Sequence, residues 1–194
     1  MLTYSVAMIR WIFHFVAMPA LLICALPSLA GADQNDPRLD TLFGSLQTAD
    51  TLSEATVYVT QIWDVWAEHE DPIQKDRMNR GVKAMEDGDY VVAIGVFSNV
   101  IKADPEFAEG WNKRATVYYL LGRVVESQND VNEVLRLEPR HFGALSGRGL
   151  LYAATGDLRN ALRAFEEALA VNPFMPSVKS RISSLRQAID ELEI

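Results

Sequence analysis

The sequence predicts an all-α protein in which helical hairpins stack side by side into a solenoid. The prediction rests first on a repeat, because residues 74–175 consist of three successive units with a period of 34 residues. A period of that length is typical of arrays whose unit is a helical hairpin. It rests also on helix-ending residues that recur at the same places in every unit. These aligned residues are Gly88, Gly122 and Gly156, and Pro105, Pro139 and Pro173.

The first 32 residues have the features of a secretory signal peptide. Arg10 precedes the apolar run 11–26, and small residues follow that run. Signal peptidases cut after small residues, and cleavage after Ala30 or after Ala32 fits this pattern equally. The sequence therefore predicts export to the periplasm. An uncleaved inner-membrane anchor is the alternative, because an apolar segment of about 20 residues can span a bilayer.

The only cysteine, Cys24, raises a second alternative for the same segment. A lipoprotein attachment site would place a lipid on this thiol, but such sites have a small residue before the cysteine, and Ile23 is bulky. Cleavage would also remove the thiol, so the mature chain could form no disulfide. Membrane contact is predicted only if the N-terminal segment is retained.

Residues 33–73 are predicted to form a linker and a helical hairpin outside the repeat pattern. Asp36 and Pro37 begin one helix, and Thr51 with Glu54 forms a capping box that begins the next, which ends near Glu68. We predict that this hairpin covers the N-terminal end of the array. Its apolar stripes contain Leu39, Leu42, Phe43 and Leu46, and then Val59, Ile62, Trp63 and Trp66. The two tryptophans suit either a ligand-stacking pair or a core, and their place on an apolar stripe favours the core.

The repeats 74–107, 108–141 and 142–175 each predict a helix, a tight turn, a second helix and a loop. Glycine ends the first helix of each repeat, because the turn needs a residue in the left-handed backbone conformation. The residue before each proline ends the second helix. Small residues on both helices predict close packing within each hairpin; they are Gly81, Ala115 and Gly149, opposite Ala93, Ser127 and Ala161. The predicted helices are 75–87 and 90–103, 108–121 and 124–137, and 142–155 and 158–171.

A last helix is predicted in 176–194, after Pro176. Apolar residues step along it by four and three positions, which gives one apolar face. This face suits either a cover over the open end of the array or a dimer seam, and the shortness of the helix favours the cover. We therefore predict a monomer or a weak homo-oligomer. The stripe consists of Val178, Ile182, Leu185, Ile189 and Leu192.

The repeats resemble the tetratricopeptide repeat (TPR) family, and the resemblance covers 102 of the 194 residues. In that family the first helices line a concave groove that binds a peptide or a partner helix. By this resemblance we expect a protein or peptide partner in the groove, and the apolar groove residues suit equally well a core that is covered by the flanking hairpin. The residues that carry the resemblance in the second unit are Trp111, Ala115, Tyr118, Gly122, Ser127 and Pro139. The expected groove residues are Met78, Val82, Met85, Asn112, Thr116, Tyr119, Ser146, Leu150 and Ala153.

Some members of the family hold the acidic tail of a chaperone with a carboxylate clamp of lysine, asparagine and arginine side chains. This chain departs from that pattern, so the clamp and the co-chaperone role are not expected here. The residues at the matching positions are Met78, Val82, Lys113, Gly143 and Gly147.

An arginine column accompanies the small residues of the first helices, with Arg80, Arg114 and Arg148 placed 34 residues apart. The column suits a ladder of donors for the carboxylates or phosphates of an elongated partner. It also suits a structural role, in which the aliphatic stems pack between repeats and the guanidinium groups meet acidic neighbours. The structural role is favoured.

We find no convincing catalytic or metal-binding pattern, and expect neither enzyme activity nor a cofactor. The run 69–71 suits weak metal binding but is more typical of a solvated loop, and the acidic residues of 86–89 lack EF-hand spacing.

The net charge of −8 disfavours binding to nucleic acid. We therefore predict a non-enzymatic interaction or scaffold module of the periplasm or cell envelope; the alternative is a membrane-anchored or lipidated component of an envelope assembly or secretion complex.

Overall fold

The computed structural model describes residues 33–192, and every regular element within that range is an α-helix. The all-α class is thereby confirmed. The predicted signal peptide and its cleavage sites lie outside the described residues. None of the helices in residues 33–192 combines the length and the apolar character that a membrane span requires. The helices are α1 (Arg38–Thr48), α2 (Leu52–Ala67), α3 (Pro72–Glu86), α4 (Tyr90–Ala103), α5 (Ala108–Leu120), α6 (Val124–Leu137), α7 (Phe142–Ala154), α8 (Leu158–Val171) and α9 (Pro176–Leu192).

The turn glycines end the first helix of each repeat as the sequence predicts. Gly88, Gly122 and Gly156 have φ angles of 81°, 70° and 80°, a left-handed conformation that costs glycine little. The residue after each glycine then donates its N–H back into the helix, as Asp89 does to the carbonyl oxygen of Ala84 at 2.8 Å. The second helix can therefore return along the first.

The helices of each repeat approach closely because the first helix carries a small residue at the crossing. A Cβ atom on Gly81 would lie 2.5 Å from Cε1 of Phe97, and one on Gly149 would lie 2.7 Å from Cε1 of Phe165. In the second repeat the Ser127 hydroxyl donates to the carbonyl oxygen of Ala115 at 2.8 Å. The phenyl rings of α4 and α8 thus rest on the glycine backbone of α3 and α7.

The hairpin α1–α2 does not cover the N-terminal end of the array, and that prediction is wrong. It lies along the edge formed by the loops between repeats, residues 104–107, 138–141 and 172–175, which we call the loop edge. His69, which follows α2 closely, has its Nε2 atom 3.1 Å from Asp104 Oδ2 of the first repeat, and Arg140 of the second repeat binds Asp40 at 2.7 Å. Gln47 donates to the carbonyl oxygen of Val171 at 2.6 Å. The hairpin therefore contacts all three repeats.

The apolar stripe of the hairpin explains this position. Leu39, Phe43 and Leu46 of α1 pack with Trp66 of α2 and with Phe142 at the start of α7. Partly buried Val171, Phe174 and Met175 complete this cluster from the end of the third repeat. Periodicity marks a face for burial, but it does not say which surface covers that face. The loop edge offers aromatic and aliphatic side chains, and the hairpin is held there.

The last helix, α9, covers the open end of the array. Val178, Ile182 and Leu185 are buried against Ala161 and Phe165 of α8. The opposite side of α9 exposes serine and charged residues to solvent. Three of the five predicted stripe residues are thus buried within the chain, whereas Ile189 is half-buried and Leu192 is 78% exposed.

Candidate functional site

An open recess of about 160 Å³ lies on the concave side, between the second and third repeats. Small residues line part of this space, among them Gly143 and Gly147 of α7 and Ala115 of α5. The recess brings together five of the predicted groove residues. These are Asn112, Thr116, Tyr119, Ser146 and Leu150.

The other predicted groove residues lie elsewhere. Met78 is 4% exposed and packs in the core of the first repeat together with Val117, and Val82 and Met85 pack partly buried against the same core. Met78 is apolar where the second and third repeats carry Asn112 and Ser146, and it packs into the core of its own repeat. Ala153 lines a separate recess beside α9, because α9 stacks on the third repeat.

The side chains that line the recess carry no charge, and three of them, Ser127 included, already donate hydrogen bonds inside the protein. The Thr116 hydroxyl donates to the carbonyl oxygen of Asn112 at 2.9 Å, and Asn112 Nδ2 donates to Glu109 Oε2 at 2.9 Å. Their remaining oxygen lone pairs accept hydrogen bonds. Tyr119, 36% exposed, and half-buried Ser146 add a phenol ring and a hydroxyl group. The recess therefore offers an apolar wall beside hydrogen-bond acceptors.

Beneath the recess lies a buried polar cluster that sequence reasoning missed. Glu109 in the first turn of α5 is 1% exposed, and His141 at the N-cap of α7 is fully buried. His141 Nε2 lies 3.2 Å from Glu109 Oε2, and Lys113 Nζ lies 2.9 Å from Oε1. The lysine contact is an ion pair whose direction leaves Oε1 without a well-aligned hydrogen bond. The carboxylate thus meets a donor or a cation at each oxygen.

The hydrogen bonds of His141 determine which ring nitrogen carries the proton. Nδ1 accepts the backbone N–H of Ala144 at 3.1 Å, so neutral His141 carries its proton on Nε2 and donates it to Glu109. The ring stacks on Trp66 with centroids 4.1 Å apart and planes 8° from parallel. Trp63 meets the same ring edge-on at 5.3 Å, and Lys113 Nζ lies 5.6 Å from the centre of the Trp63 ring. Both tryptophans therefore serve the packing of α2 on the loop edge.

The signal that could have revealed this cluster is a departure from the period. Glu109 occupies a position where the first and third repeats carry Lys75 and Gly143. A carboxylate at one repeat only suggests a local partner, and His141 stands before a helix where serine or aspartate is the usual N-cap residue. Neither departure from the period indicates that Glu109 and His141 contact each other, because the two residues lie 32 positions apart in the sequence.

The Glu109 carboxylate is ionised in the folded protein. Burial raises its pKa, but the hydrogen bond from His141 and the charge of Lys113 oppose burial and outweigh it. The pKa therefore lies below its ordinary value of 4.5. The burial of this charge is tolerated because its partners are buried or half-buried with it.

We expect this low pKa to make stability depend on pH in the acid range. The ionised form of Glu109 contributes its full stabilisation above the ordinary pKa of the unfolded chain, and that contribution is lost as the pH falls through the lower pKa of the folded state. Urea unfolding of wild type and Glu109→Gln between about pH 3 and pH 7 measures this contribution to the free energy of unfolding. The difference between the two proteins should be largest near neutral pH and should shrink on acidification.

Glu106→Gln is the matched control, because the Glu106 side chain is 69% exposed. Its stability should follow that of wild type across the same pH range. A constant difference between wild type and Glu109→Gln at every pH would contradict the assignment of an ionised, stabilising Glu109.

The structure gives each arginine of the predicted column an acidic neighbour. Arg114 Nε and Nη2 bind the two carboxylate oxygens of Asp130 at 2.8 Å, and Arg114 Nη1 donates to Ser98 Oγ. Arg148 pairs with Glu167 of α8. Arg80 pairs with Asp76 one helical turn away at 3.1 Å and is 65% exposed. The column is uneven, since two members join neighbouring helices and the first lies on the surface.

His69 belongs to the hairpin interface and is largely buried, unlike the solvated loop residue that the sequence suggests. Its side chain is 13% exposed, its Nε2 lies 3.1 Å from Asp104 Oδ2, and its ring meets Phe107 edge-on. Nδ1 accepts the backbone N–H of Asp71. Across residues 33–192, no group of three or more histidine, cysteine or acidic side chains is arranged to hold a metal ion.

Comparison with known proteins places these features in a family. A family model described as tetratricopeptide repeat matches residues 142–174, and a second with the same description matches residues 78–127. A TPR repeat-containing protein of Rhizobium etli is 30% identical over 152 residues, which span 78% of this chain and 74% of that protein. The FK506-binding protein-like of Mus musculus is 26% identical over 131 residues and is covered over only 38% of its length.

Solved structures share the fold. The Sgt2 TPR domain of Aspergillus fumigatus superposes with a TM-score of 0.60 at 21% identity, over 63% of this chain and 83% of that domain. The first TPR of Spaghetti (RPAP3), bound to the HSP90 peptide SRMEEVD, superposes with a TM-score of 0.58 at 24% identity, over 60% of this chain and 93% of that one. The family is generally a non-enzymatic protein-interaction fold. From the matched repeats, the Rhizobium relative and the stacked hairpins, the chain belongs to the tetratricopeptide repeat family.

Proposed function

We propose that this protein is a non-enzymatic interaction module that binds a peptide or a partner helix in the recess between its second and third repeats. The recess itself carries the proposal, because it is open, concave and walled by Tyr119 and Leu150 over a glycine floor. Pockets with an apolar wall and a few fixed polar groups are the usual form of a recognition site. The TPR of Spaghetti with its bound peptide supports the use of this fold for such a role.

The chemistry of the recess favours apolar anchors over an acidic tail. The recess lining carries no cation, and the nearby ammonium group of Lys113 is paired with Glu109 and covered by Trp63. A free terminal carboxylate would find no unpaired charge there. An aliphatic or aromatic side chain would instead bury its surface against Tyr119 and Leu150.

We expect Tyr119→Glu to abolish partner capture while leaving the fold intact. The side chain is 36% exposed, so the substitution places a charge in the recess without opening the core. Crosslinking and affinity capture from a cell-envelope fraction, compared with wild type, measures the effect. The contact should disappear because a buried, unpaired carboxylate costs several kcal/mol on binding.

Val125→Glu is the control for Tyr119→Glu. Val125 of α6 is 71% exposed and does not line the recess, so the same charge at this position should leave the captured partners unchanged. Identical partners for wild type and Tyr119→Glu would rule out the recess as the binding surface.

We further propose that the protein works in the periplasm as part of an envelope assembly. The sequence of residues 1–32 supports export, and a bacterial relative of similar length supports a bacterial setting. The alternative, a membrane-anchored or lipidated component, differs only in the fate of this segment. Both versions present the same recess to a partner.

The mass of the mature protein distinguishes the two versions. We expect the purified protein from its natural host to begin at Gly31 or Asp33, since cleavage follows small residues. Intact-protein mass spectrometry of the soluble and membrane fractions gives the answer. A mass that retains the N-terminal segment, with or without a lipid on Cys24, would replace the periplasmic proposal by the anchored one.

A further inference from the structure

The N-terminal hairpin is connected to the recess through the buried cluster around Glu109. Trp66 of α2 stacks on His141, and His141 donates to Glu109 Oε2. The same oxygen accepts the hydrogen bond from Asn112 Nδ2, and Asn112 lines the recess. A continuous chain of contacts therefore runs from a helix outside the repeats to a polar group of the concave surface.

The carboxylate of Glu109 determines which atom Asn112 presents. A carboxylate only accepts hydrogen bonds, so the amide group of Asn112 must turn its Nδ2 toward Glu109. The Oδ1 atom of Asn112 then has no hydrogen-bond partner among the described residues. Asn112 is 8% exposed, and its neighbour Thr116 likewise has only acceptor capacity left, since its hydroxyl proton is used by the Asn112 carbonyl.

We infer that Glu109 is a positioning residue, held by the hairpin through His141, which fixes Asn112 as a hydrogen-bond acceptor for a backbone N–H of an extended peptide segment. The inference rests on the proposed function, which allows either a peptide or a partner helix in the recess. It selects the extended peptide. An extended segment offers unpaired N–H groups along its length, whereas a helix uses nearly all of its own internally. An acceptor fixed in an uncharged groove therefore favours the extended segment.

The hairpin is a part of the binding site under this inference, although α1 and α2 do not line the recess. Without His141, Glu109 Oε2 would lose one of its two hydrogen-bond donors, and the carboxylate would be free to turn toward Lys113. Asn112 would then lose its fixed partner and could rotate its amide. Ligand binding would weaken because the acceptor would no longer be held in place before the ligand arrives.

Two substitutions at His141 separate this positioning role from a structural one. His141→Gln places an amide N–H near the former Nε2, so it can keep the hydrogen bond to Glu109 but lose the helix cap. His141→Asn places an oxygen near the former Nδ1, so it can keep the cap on Ala144 but lose the bond to Glu109. Each variant thus keeps one of the two hydrogen bonds that the histidine makes.

The probe is a synthetic dodecapeptide selected on the wild-type protein from a random display library, with binding to Tyr119→Glu as the counter-screen. Affinities of the two His141 variants are measured by calorimetry, and their thermal unfolding by circular dichroism. We expect His141→Asn to bind about tenfold more weakly than wild type and His141→Gln to bind within about twofold of it. Both variants should be less stable than wild type, because each loses one buried hydrogen bond, so binding is measured at a temperature at which both are fully folded.

A second measurement tests the N–H donor directly and needs no change in the buried cluster. Each backbone N–H of the same dodecapeptide is methylated in turn. One of these methyl groups should weaken binding to wild type about tenfold and should have no effect on binding to Asn112→Ala, which already lacks the acceptor. The pair of measurements forms a double-mutant cycle.

The outcomes are distinct. If the two His141 variants bind with equal affinity, or if no methylated peptide shows a dependence on Asn112, the inference is overturned while the recess remains the binding site. If no selected peptide loses binding to Tyr119→Glu, the proposed function fails and the inference fails with it.

Discussion

Replacing Trp66 by alanine is expected to lower the free energy of unfolding by about 3–5 kcal/mol, one of the two largest effects we anticipate. The indole is 1% exposed, stacks on His141 and packs against Phe43 and Phe142. Its removal would leave a cavity between the hairpin and the loop edge. It would also uncover the polar cluster around Glu109, whose tolerance of a buried charge depends on exclusion from water.

Urea unfolding followed by circular dichroism measures this loss, with Val57→Ala on the same helix as control. Val57 is 53% exposed, and its truncation should change stability by less than about 0.5 kcal/mol. If Trp66→Ala cost no more than Val57→Ala, the hairpin would be a loosely attached appendage, contrary to its contacts with all three repeats.

The second large effect is expected from Arg114→Met, which should cost about 3 kcal/mol of stability without any ligand present. The guanidinium group makes two hydrogen bonds to Asp130, whose side chain is 5% exposed, and lies 5.1 Å from the ring of Trp111. Burial already raises the pKa of Asp130 in spite of Arg114. Without the arginine, Asp130 would have to remain as an unpaired buried charge or take up a proton.

Arg80→Met is the matched control, because it alters the same repeat position in a surface ion pair. The side chains of Arg80 and Asp76 are 65% and 68% exposed, and such pairs contribute about 0–1 kcal/mol. Chemical unfolding of both variants gives the comparison. Equal and small losses would favour the alternative in which the arginine column serves an elongated anionic partner.

The parts of the fold that the sequence predicts are those determined by backbone chemistry. Gly122 must adopt a positive φ, and the residue before Pro139 cannot continue a helix, so the turns could be placed without knowing the packing. Gly149 is likewise informative, because a small residue at a fixed repeat position implies that another helix passes close by. Its neighbour proved to be the ring of Phe165.

The hairpin and the recess were harder to predict because they depend on which surfaces meet. The stripe that contains Trp66 shows that a face of α2 is buried, but not that His141 lies beneath it. The predicted groove treated the three repeats as equivalent, whereas Met78 of the first repeat is buried in its own core and Asn112 of the second is polar and lines the recess. Differences between repeats, rather than the repeat itself, determine the recess.

The contacts of the hairpin also change how the chain is expected to fold. In a simple repeat array each unit contacts only its neighbours, so folding can begin anywhere and proceed by local steps. Here Gln47 binds the carbonyl oxygens of Ala170 and Val171, which lie 123 and 124 positions later in the chain. The hairpin, although synthesised before the repeats, therefore completes its contacts only after the third repeat has formed. Such long-range contacts slow folding, and they also join the hairpin and the third repeat into one cooperative unit.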